Sequence, residues 1–469
     1  MFSNVLLKTY RKLIILLKNC EFCLMIGKQK HTNQSSMFNS LSDQLDQKHP
    51  LYILANSVNW QIFEDHFSKH YSEKMGAPSK PIRLMVSLLI LKHVRNLSDE
   101  NLVAQWSENV YYQYFGGEQF YRPSAPCSST ELVAFRKRIG EEGMSLLLKE
   151  SIELNRTNED DNFGETISLD TTVQEKNITY PTDDKLYKKI IKNCVSIAEN
   201  AGIVLHQTYG KELKKLSQLE RFKKRKNGYK IAQKASKRVK TIAGRLVRDL
   251  ERKLSPLQVL MYGVDIELFK KVLAQKRDTP NKIYSLCEPN VKCYAKGKEH
   301  KKFEFGSKAS VAVCQQTGVI VGALNFTETI HDSKTIEAAI KQVIVLTEIT
   351  PKEVFADRGY VGKTKYEQTK IYTPKPDPNI TKEQRQKHSR RAAIEPTIGH
   401  LKSDHRMGRN FLKGVTGDAI NLLLAAAAFN FKRVMNLWKK EANYSWQLIY
   451  NLFVNIYWQF YAQKLKSTF

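Results

Sequence analysis

Three short segments, far apart in the chain, each carry an acid in a setting suited to metal-ion chemistry. T-I-S-L-D-T-T ends a β-like run at Asp170. E-V-F-A-D-R-G-Y places Asp357 at the end of a second apolar run, just before a glycine turn. R-A-A-I-E-P-T-I-G-H-L-K carries Glu395 in a helix-like stretch. Two strand-end aspartates and one helical glutamate can hold two hard cations through carboxylate oxygens. Two such cations can clamp the attacking and leaving oxygens of a phosphodiester in an in-line displacement. On a helix turning about 100° per residue, His388, Arg391 and Lys402 fall within about 40° of the line through Glu395. Basic groups beside a carboxylate suit a metal ligand next to a scissile phosphate. An ordinary amphipathic helix with exposed ion pairs has the same spacing, and Pro396 must kink or restart the helix.

The elements around these residues belong to a large, globular, strongly basic chain. Its 469 residues are 42% hydrophobic and 26% charged, with a formal charge of +28. Such a composition excludes a disordered chain. The charge points to polyanionic DNA, although an acidic membrane face or an acidic protein would also accept it. Seven scattered cysteines in a chain this long exclude a disulfide framework and indicate a reducing compartment. Cys20 and Cys23 form a lone C-x-x-C without a second ligand pair, so free thiols are expected. Lys18 interrupts the N-terminal apolar run after five residues, which argues against a signal peptide. The apolar run at Ile420 to Phe431 is short of the roughly 20 residues that span a bilayer. A soluble cytoplasmic protein is expected, with no membrane partner. G-K-T at 362–364 would need a glycine at position 357 to form a phosphate-cradling loop. Asp357 stands there, so no nucleotide cofactor is expected.

The chain divides by pattern. Residues 1–36 are an appendage, and 37–154 read as helical. In the latter, L-L-I-L-K-H-V-R-N-L-S-D-E-N-L gives helix, short turn, helix, with Ser98 as N-cap. DNA-reading helix pairs share this pattern with plain packing hairpins. Ser129 or Thr130 is expected to cap the next helix. The acidic stretch 155–165 is a linker, and Thr166 to Asp170 a strand. From about 185 to 280 the pattern gives long basic helices. Val239, Ile242, Leu246 and Leu250 recur there at helical spacing, and Lys223, Lys224, Arg225 and Lys226 offer a phosphate-tracking face. K-F-E-F-G-S-K-A-S-V-A-V-C and V-I-V-G-A-L read as a hairpin. Ser333 to Thr347 reads as a helix, Val354 to Asp357 as a strand, 382–402 as one helix and 419–437 as a helix capped by Asp418. In the tail, 441–469, Trp446, Ile449, Tyr450, Phe453, Tyr457 and Phe460 form a stripe. It must be buried either on this chain's core or on a second chain. The layout is mixed α/β.

L-D-T-T-V-Q-E-K-N-I-T-Y-P-T-D, F-A-D-R-G-Y-V-G and R-A-A-I-E-P-T-I-G-H-L-K-S-D-H-R-M resemble the DDE motifs of bacterial insertion-sequence transposases, in the insertion sequence five family. L-L-I-L-K-H-V-R-N-L-S-D-E-N-L-V and N-V-Y-Y-Q-Y-F-G-G-E resemble that family's helical N-terminal domain. The resemblance runs in order over roughly 38–440. It implies a ribonuclease H-like catalytic core at 166–440 with a helical insertion, preceded by an all-helical, DNA-binding domain. It implies Asp170, Asp357 and Glu395 as catalytic and metal-binding residues, holding two Mg2+ ions or Mn2+ in their place. Arg391 and Lys402 would hold phosphate, and His388 occupies a position where related groups have tyrosine. The implied function is a DNA transposase that binds terminal inverted repeats, cleaves them and transfers the 3′-hydroxyl strands to target DNA, acting at least as a dimer. An inactive DNA-binding remnant, or a nuclease that never joins strands, are the alternatives.

Overall fold

The computed structural model describes residues 40–72, 76–156, 162–226, 228–276, 278–295, 301–362, 364–374 and 381–466, without the side chains of Lys224 and 441–466. The 1–36 appendage, the Cys20–Cys23 pair and the tail's aromatic stripe therefore lie outside the described residues and side chains.

Seven helices come first: α1 (Leu41–Gln44), α2 (Pro50–Ser57), α3 (Trp60–Phe67), α4 (Ile82–Val94), α5 (Asp99–Glu108), α6 (Val110–Phe115) and α7 (Ser129–Glu153). In α4 every residue but Arg83 is buried, as a helix apolar all round must be. Ser98 caps α5, accepting the Asn101 N–H. The side that α5 turns to solvent carries Glu100 and Glu108 and no basic residue. The cap of α7 is Ser128, one residue before the expected position. It forms a capping box with Glu131, which satisfies two N-terminal donors at once.

Among the described residues seven strands form one mixed sheet. β1 (Thr166–Glu175) lies between β3 (Phe303–Cys314), antiparallel, and β5 (Glu353–Ala356), parallel. β2 (Lys292–Ala295) and β4 (Ile320–Phe326) share the other edge of β3 end to end. β7 (Thr369–Tyr372) runs parallel to β5 and pairs with the short β6 (Lys365–Tyr366). β1 continues five residues past its expected end at Asp170, because β3 pairs with it as far as Glu175↔Gly306. At Gly306 the two backbones approach so closely that a Cβ would stand 1.9 Å from the Gln174 carbonyl oxygen.

Between β1 and β2 the chain folds four helices: α8 (Asp183–Asn200), α9 (Gly210–Arg221), α10 (Gly228–Lys253) and α11 (Pro256–Ala274). Val239, Ile242, Leu246 and Leu250 are buried there, in a core of the insertion's own. The N-terminal helices, the sheet, α12 (Ile336–Thr347) and the first half of α15 (Gly414–Lys466) share a second core. By length and composition the Gly414–Lys440 part of α15 is long and apolar enough to cross a membrane, longer than the Ile420–Phe431 run suggests. Yet 78% of its apolar stretch is buried inside the protein. Asp418 does not cap this helix. It lies a turn inside, where it accepts from Lys176 Nζ at 2.6 Å and Asn410 Nδ2 at 2.6 Å. Among the described residues Cys127, Cys194, Cys287, Cys293 and Cys314 are free thiols.

Charge is buried where the helices meet. Asp99 accepts from Lys92 Nζ at 2.8 Å and from both terminal nitrogens of Arg136, at 2.9 and 2.6 Å. Burial pushes the Asp99 carboxyl up, but Arg136 and Lys92 outweigh it and hold it at about 2. Burial and Arg136 lower Lys92 to about 8. Asp99→Asn leaves two buried cations without their counter-charge, and should cost about 3–5 kcal/mol in urea unfolding.

Two neutral histidines join the N-terminal helices to the chain around α15. His405 Nδ1 meets the His93 carbonyl at 3.0 Å, and His93 Nε2 meets Asn421 Oδ1 at 3.3 Å. Burial lowers His405 to about 4 and drives His93 well below its ordinary range. Both folded values lie below the unfolded one, so stability is complete above about pH 6.5 and is lost as pH falls toward the folded values. For His405 the loss between pH 7 and pH 5 is about 2 kcal/mol. Urea unfolding at both pH values should show it, with a smaller difference in His405→Gln.

Candidate active site

The sheet register brings the two aspartates together. β1 and β5 pair in parallel from Thr166↔Glu353 to Leu169↔Ala356, so Asp170 and Asp357 occupy the next position on neighbouring strands. Such strands lie about 4.8 Å apart, and alternation puts both carboxylates on the face of the Ser168↔Phe355 pair. Asp357 keeps an extended backbone beyond the end of β5 (φ −76°, ψ 172°) and opens the 3₁₀ turn Arg358–Tyr360. The carboxyl ends of parallel strands are where open α/β sheets bind ligands. Asp170 is half-buried, accepting its neighbour Thr171's N–H at 2.7 Å, and Asp357 is exposed.

Helix α13 (Lys382–Arg391) runs along β5 and delivers the basic groups. Lys387 Nζ donates to Glu353 at 2.7 Å, and the His388 ring stands edge-on to Phe355 at 4.9 Å. Arg391 Nη2 lies 3.8 Å from Asp357 Oδ1. One helix face thus reads Glu353 and Phe355 on β5 and Asp357 just beyond it. Burial first, and Arg391 second, lower His388 below its ordinary range, which favours a neutral ring packed on Phe355 and Tyr372.

The single helix expected over 382–402 is two. Pro396 has no N–H to donate to Ala392, so the Ala392 carbonyl takes the Glu395 N–H at 3.2 Å, a tighter three-residue step. α14 (Ile394–Asp404) then restarts with Pro396 in its first turn, where a missing donor costs little. Ile394, Ile398 and Leu401 anchor α14 in the core, with Glu395 exposed and Lys402 half-buried. His388, Arg391, Glu395 and Lys402 therefore do not share one uninterrupted helix. Among the described residues no group of three or more His, Cys, Asp or Glu side chains is spaced to hold a metal ion. The two aspartates, one half-buried and one exposed at neighbouring strand positions, suit a hard divalent cation by donor chemistry. Glu395 sits on another element, in the first turn of α14.

Sequence reasoning missed Asp332, in the 3₁₀ turn Asp332–Lys334 before α12, whose Oδ1 accepts from Thr171 Oγ1 at 2.7 Å. No periodicity or spacing marks it; only register brings it beside β1.

Comparison with known proteins decides the family. Residues 39–138 match a family described as a transposase domain (DUF772), and residues 279–431 match the transposase DDE domain. A Rhizobium meliloti protein described as "Uncharacterized protein ORF8 in nfe locus" is 40% identical over 167 residues, 35% of this chain and 80% of that relative. The chain belongs to the DDE transposases of insertion sequences. No solved structure matches it. The DDE match includes Asp357 and Glu395, whereas Asp170 lies between the two matched regions.

A transposase acts on DNA, and the insertion offers this one a basic surface. Lys230, Lys234, Lys237, Arg245 and Arg248 line the solvent side of α10. At the α9–α10 junction Lys223, Arg225 and Lys226 are exposed. The Arg225 guanidinium lies 4.4 Å from the centre of the exposed Phe222 ring, and Lys223 lies 5.8 Å from that of Tyr229. Replacing Lys223, Lys224, Arg225 and Lys226 with Gln should weaken binding across DNA sequences. The log–log salt slope should fall by up to about 0.9 per lost phosphate contact. An unchanged slope in a filter-binding titration would make the junction an ordinary solvated face.

Proposed function

We propose that this transposase, of the insertion sequence five family, binds the terminal inverted repeats of its own element, cleaves them and transfers the freed 3′-hydroxyl strands to target DNA. The observation that carries the reading is that Asp170 and Asp357 each follow the last parallel pair, Leu169↔Ala356, of neighbouring strands. Its support for a ribonuclease H-like core is topological. An antiparallel β4–β3–β1 unit precedes a helix and two further parallel strands, β5 and β7.

Asp170 and Asp357 would hold Mg2+, or Mn2+, as a pair of ions, with Glu395 joining them when DNA is seated. Bound there, the ions supply positive charge to the attacking and leaving oxygens. Arg391, beside Asp357, orients a phosphate through its planar fork, and Lys402 offers a point charge. His388 holds α13 against β5 and faces the same phosphate. The basic insertion and the N-terminal helical domain grip the flanking duplex. The protein works in the cytoplasm on DNA, as an oligomer that brings both ends together.

Asp170→Asn, Asp357→Asn and Glu395→Gln should each lower strand cleavage by on the order of 10²–10³-fold, the scale of losing one charge-stabilising group. Binding to end DNA should persist. Cleavage retained in any one, with Mg2+ or Mn2+, removes that residue from the site. Product analysis on labelled ends separates joined strands from nicks alone, the mark of a nuclease. No products from the wild-type chain would mark an inactive remnant.

A further inference from the structure

Beside Thr171, the residue after Asp170, stands a third carboxylate held through one oxygen. Asp332 Oδ1 accepts from Thr171 Oγ1 at 2.7 Å and from Lys308 Nζ at 2.7 Å. Lys308, only 13% exposed along its side chain, also donates to the Ile330 carbonyl at 2.7 Å. The other oxygen of Asp332 faces Gly359, where a Cβ would stand 3.1 Å from Oδ2. Thr335 closes the turn, its N–H and hydroxyl donating to the Asp332 carbonyl at 2.9 and 2.7 Å. Behind these groups the Tyr360 ring is 1% exposed.

The contacts tie the β1–β3 ladder to the turn after β5, which no strand pairing connects to it at this level. Thr171 follows Asp170 on β1, beyond the point where parallel pairing with β5 stops. Gly359 lies two residues after Asp357, in the turn that leaves β5. Lys308 sits on β3, opposite Val173. With no ladder between β1 and β5 at this level, side chains must fix the gap between them. Both strong bonds to Asp332 fall on one oxygen, and the Lys308 bond is charge-assisted and nearly buried. An acid held in this way by a hydroxyl and an ion pair can serve as a brace.

We propose that Asp332 is a positioning residue of the catalytic centre, tying the residue after Asp170 to the turn after Asp357 and so setting the spacing of the two acids. The inference rests on the reading of that pair as the cation-holding acids. A displacement of about 1 Å at such a centre costs on the order of 10²-fold in rate, so a brace there acts on function before stability.

The test uses the full-length transposase. Thr171→Val removes the hydroxyl and keeps the shape, Thr171→Ser restores the hydroxyl, and Asp332→Asn removes the charge. Mn2+ binding is measured by calorimetry without DNA, alongside thermal midpoint and the Mg2+ dependence of end cleavage. Thr171→Val and Asp332→Asn should weaken Mn2+ binding by about 10–100-fold, as loss of a ligand's supporting partner does. Thr171→Ser should bind as wild type, and the Thr171→Val midpoint should not move. Wild-type Mn2+ affinity and Mg2+ dependence in Thr171→Val would overturn the brace. So would an Asp332→Asn chain that melts lower but binds Mn2+ normally. Asp170→Asn separates the two levels. If it too binds Mn2+ normally, the aspartate-pair reading falls. If it loses Mn2+ while Thr171→Val keeps it, only the brace falls.

Discussion

The register of β1 against its two neighbours is the constraint on which the site depends. β3 holds β1 over nine consecutive pairs, from Ile167↔Cys314 to Glu175↔Gly306, whereas β5 holds it over four. The mismatch creates the opening. Where β5 stops, β1 goes on with no strand on that edge until Asn410 bridges Lys176, and Asp170 stands at that step. A slip of one residue on either side would send Asp170 to the opposite face. The close backbone approach at Gly306 and the buried Gln174 side chain, which donates to the Asp418 carbonyl and accepts from Asn421, fix that register from the far end.

The N-terminal helices are part of the same body rather than a separate bead. α4 and α7 share one apolar core with the sheet and α15, and polar contacts cross the same boundary. Asn155 Nδ2 donates to the Asn430 carbonyl, Asn430 Nδ2 donates to the Ile320 carbonyl of β4, and Arg406 donates to the Asn96 carbonyl. A force on the helical half therefore reaches the strands through packed groups. The Asp99 cluster and the paired histidines are two of the places where charge and protonation state are specified within that continuous interior.

Much of this was legible from residue order. The β3–β4 hairpin announced itself by alternation and a glycine turn, and the α10 stripe by its 3.6-residue period. What escaped was short or non-local. β2, β6 and β7 have four residues or fewer, too few to show a period. The extension of β1 past Asp170 follows from its partner rather than its own sequence. The helix break at Pro396 was visible, but not the two-residue turn that resets the register. Asp418 looked like a cap because it precedes an apolar run. Lys176, 242 residues away in sequence, gives it another role. Asp357 does close its strand, whereas Asp170 lies midway along β1, at the end only of its pairing with β5.

The insertion's separate core has a consequence for how the chain acquires its sheet. β1 and β3 are neighbours, yet the whole insertion lies between them. An unstructured connection of that length carries a closure entropy that grows as (3/2)RT ln n, about 0.6 kcal/mol for every doubling. Because α8–α11 bury apolar groups against one another, they can condense from contacts near in sequence, before any strand pairs. The condensed insertion brings its two ends back to the sheet, where Lys176 and Glu288 meet at 3.5 Å. The longest loop of the topology thus becomes a short one, and strand pairing closes an effective loop shorter than the sequence separation.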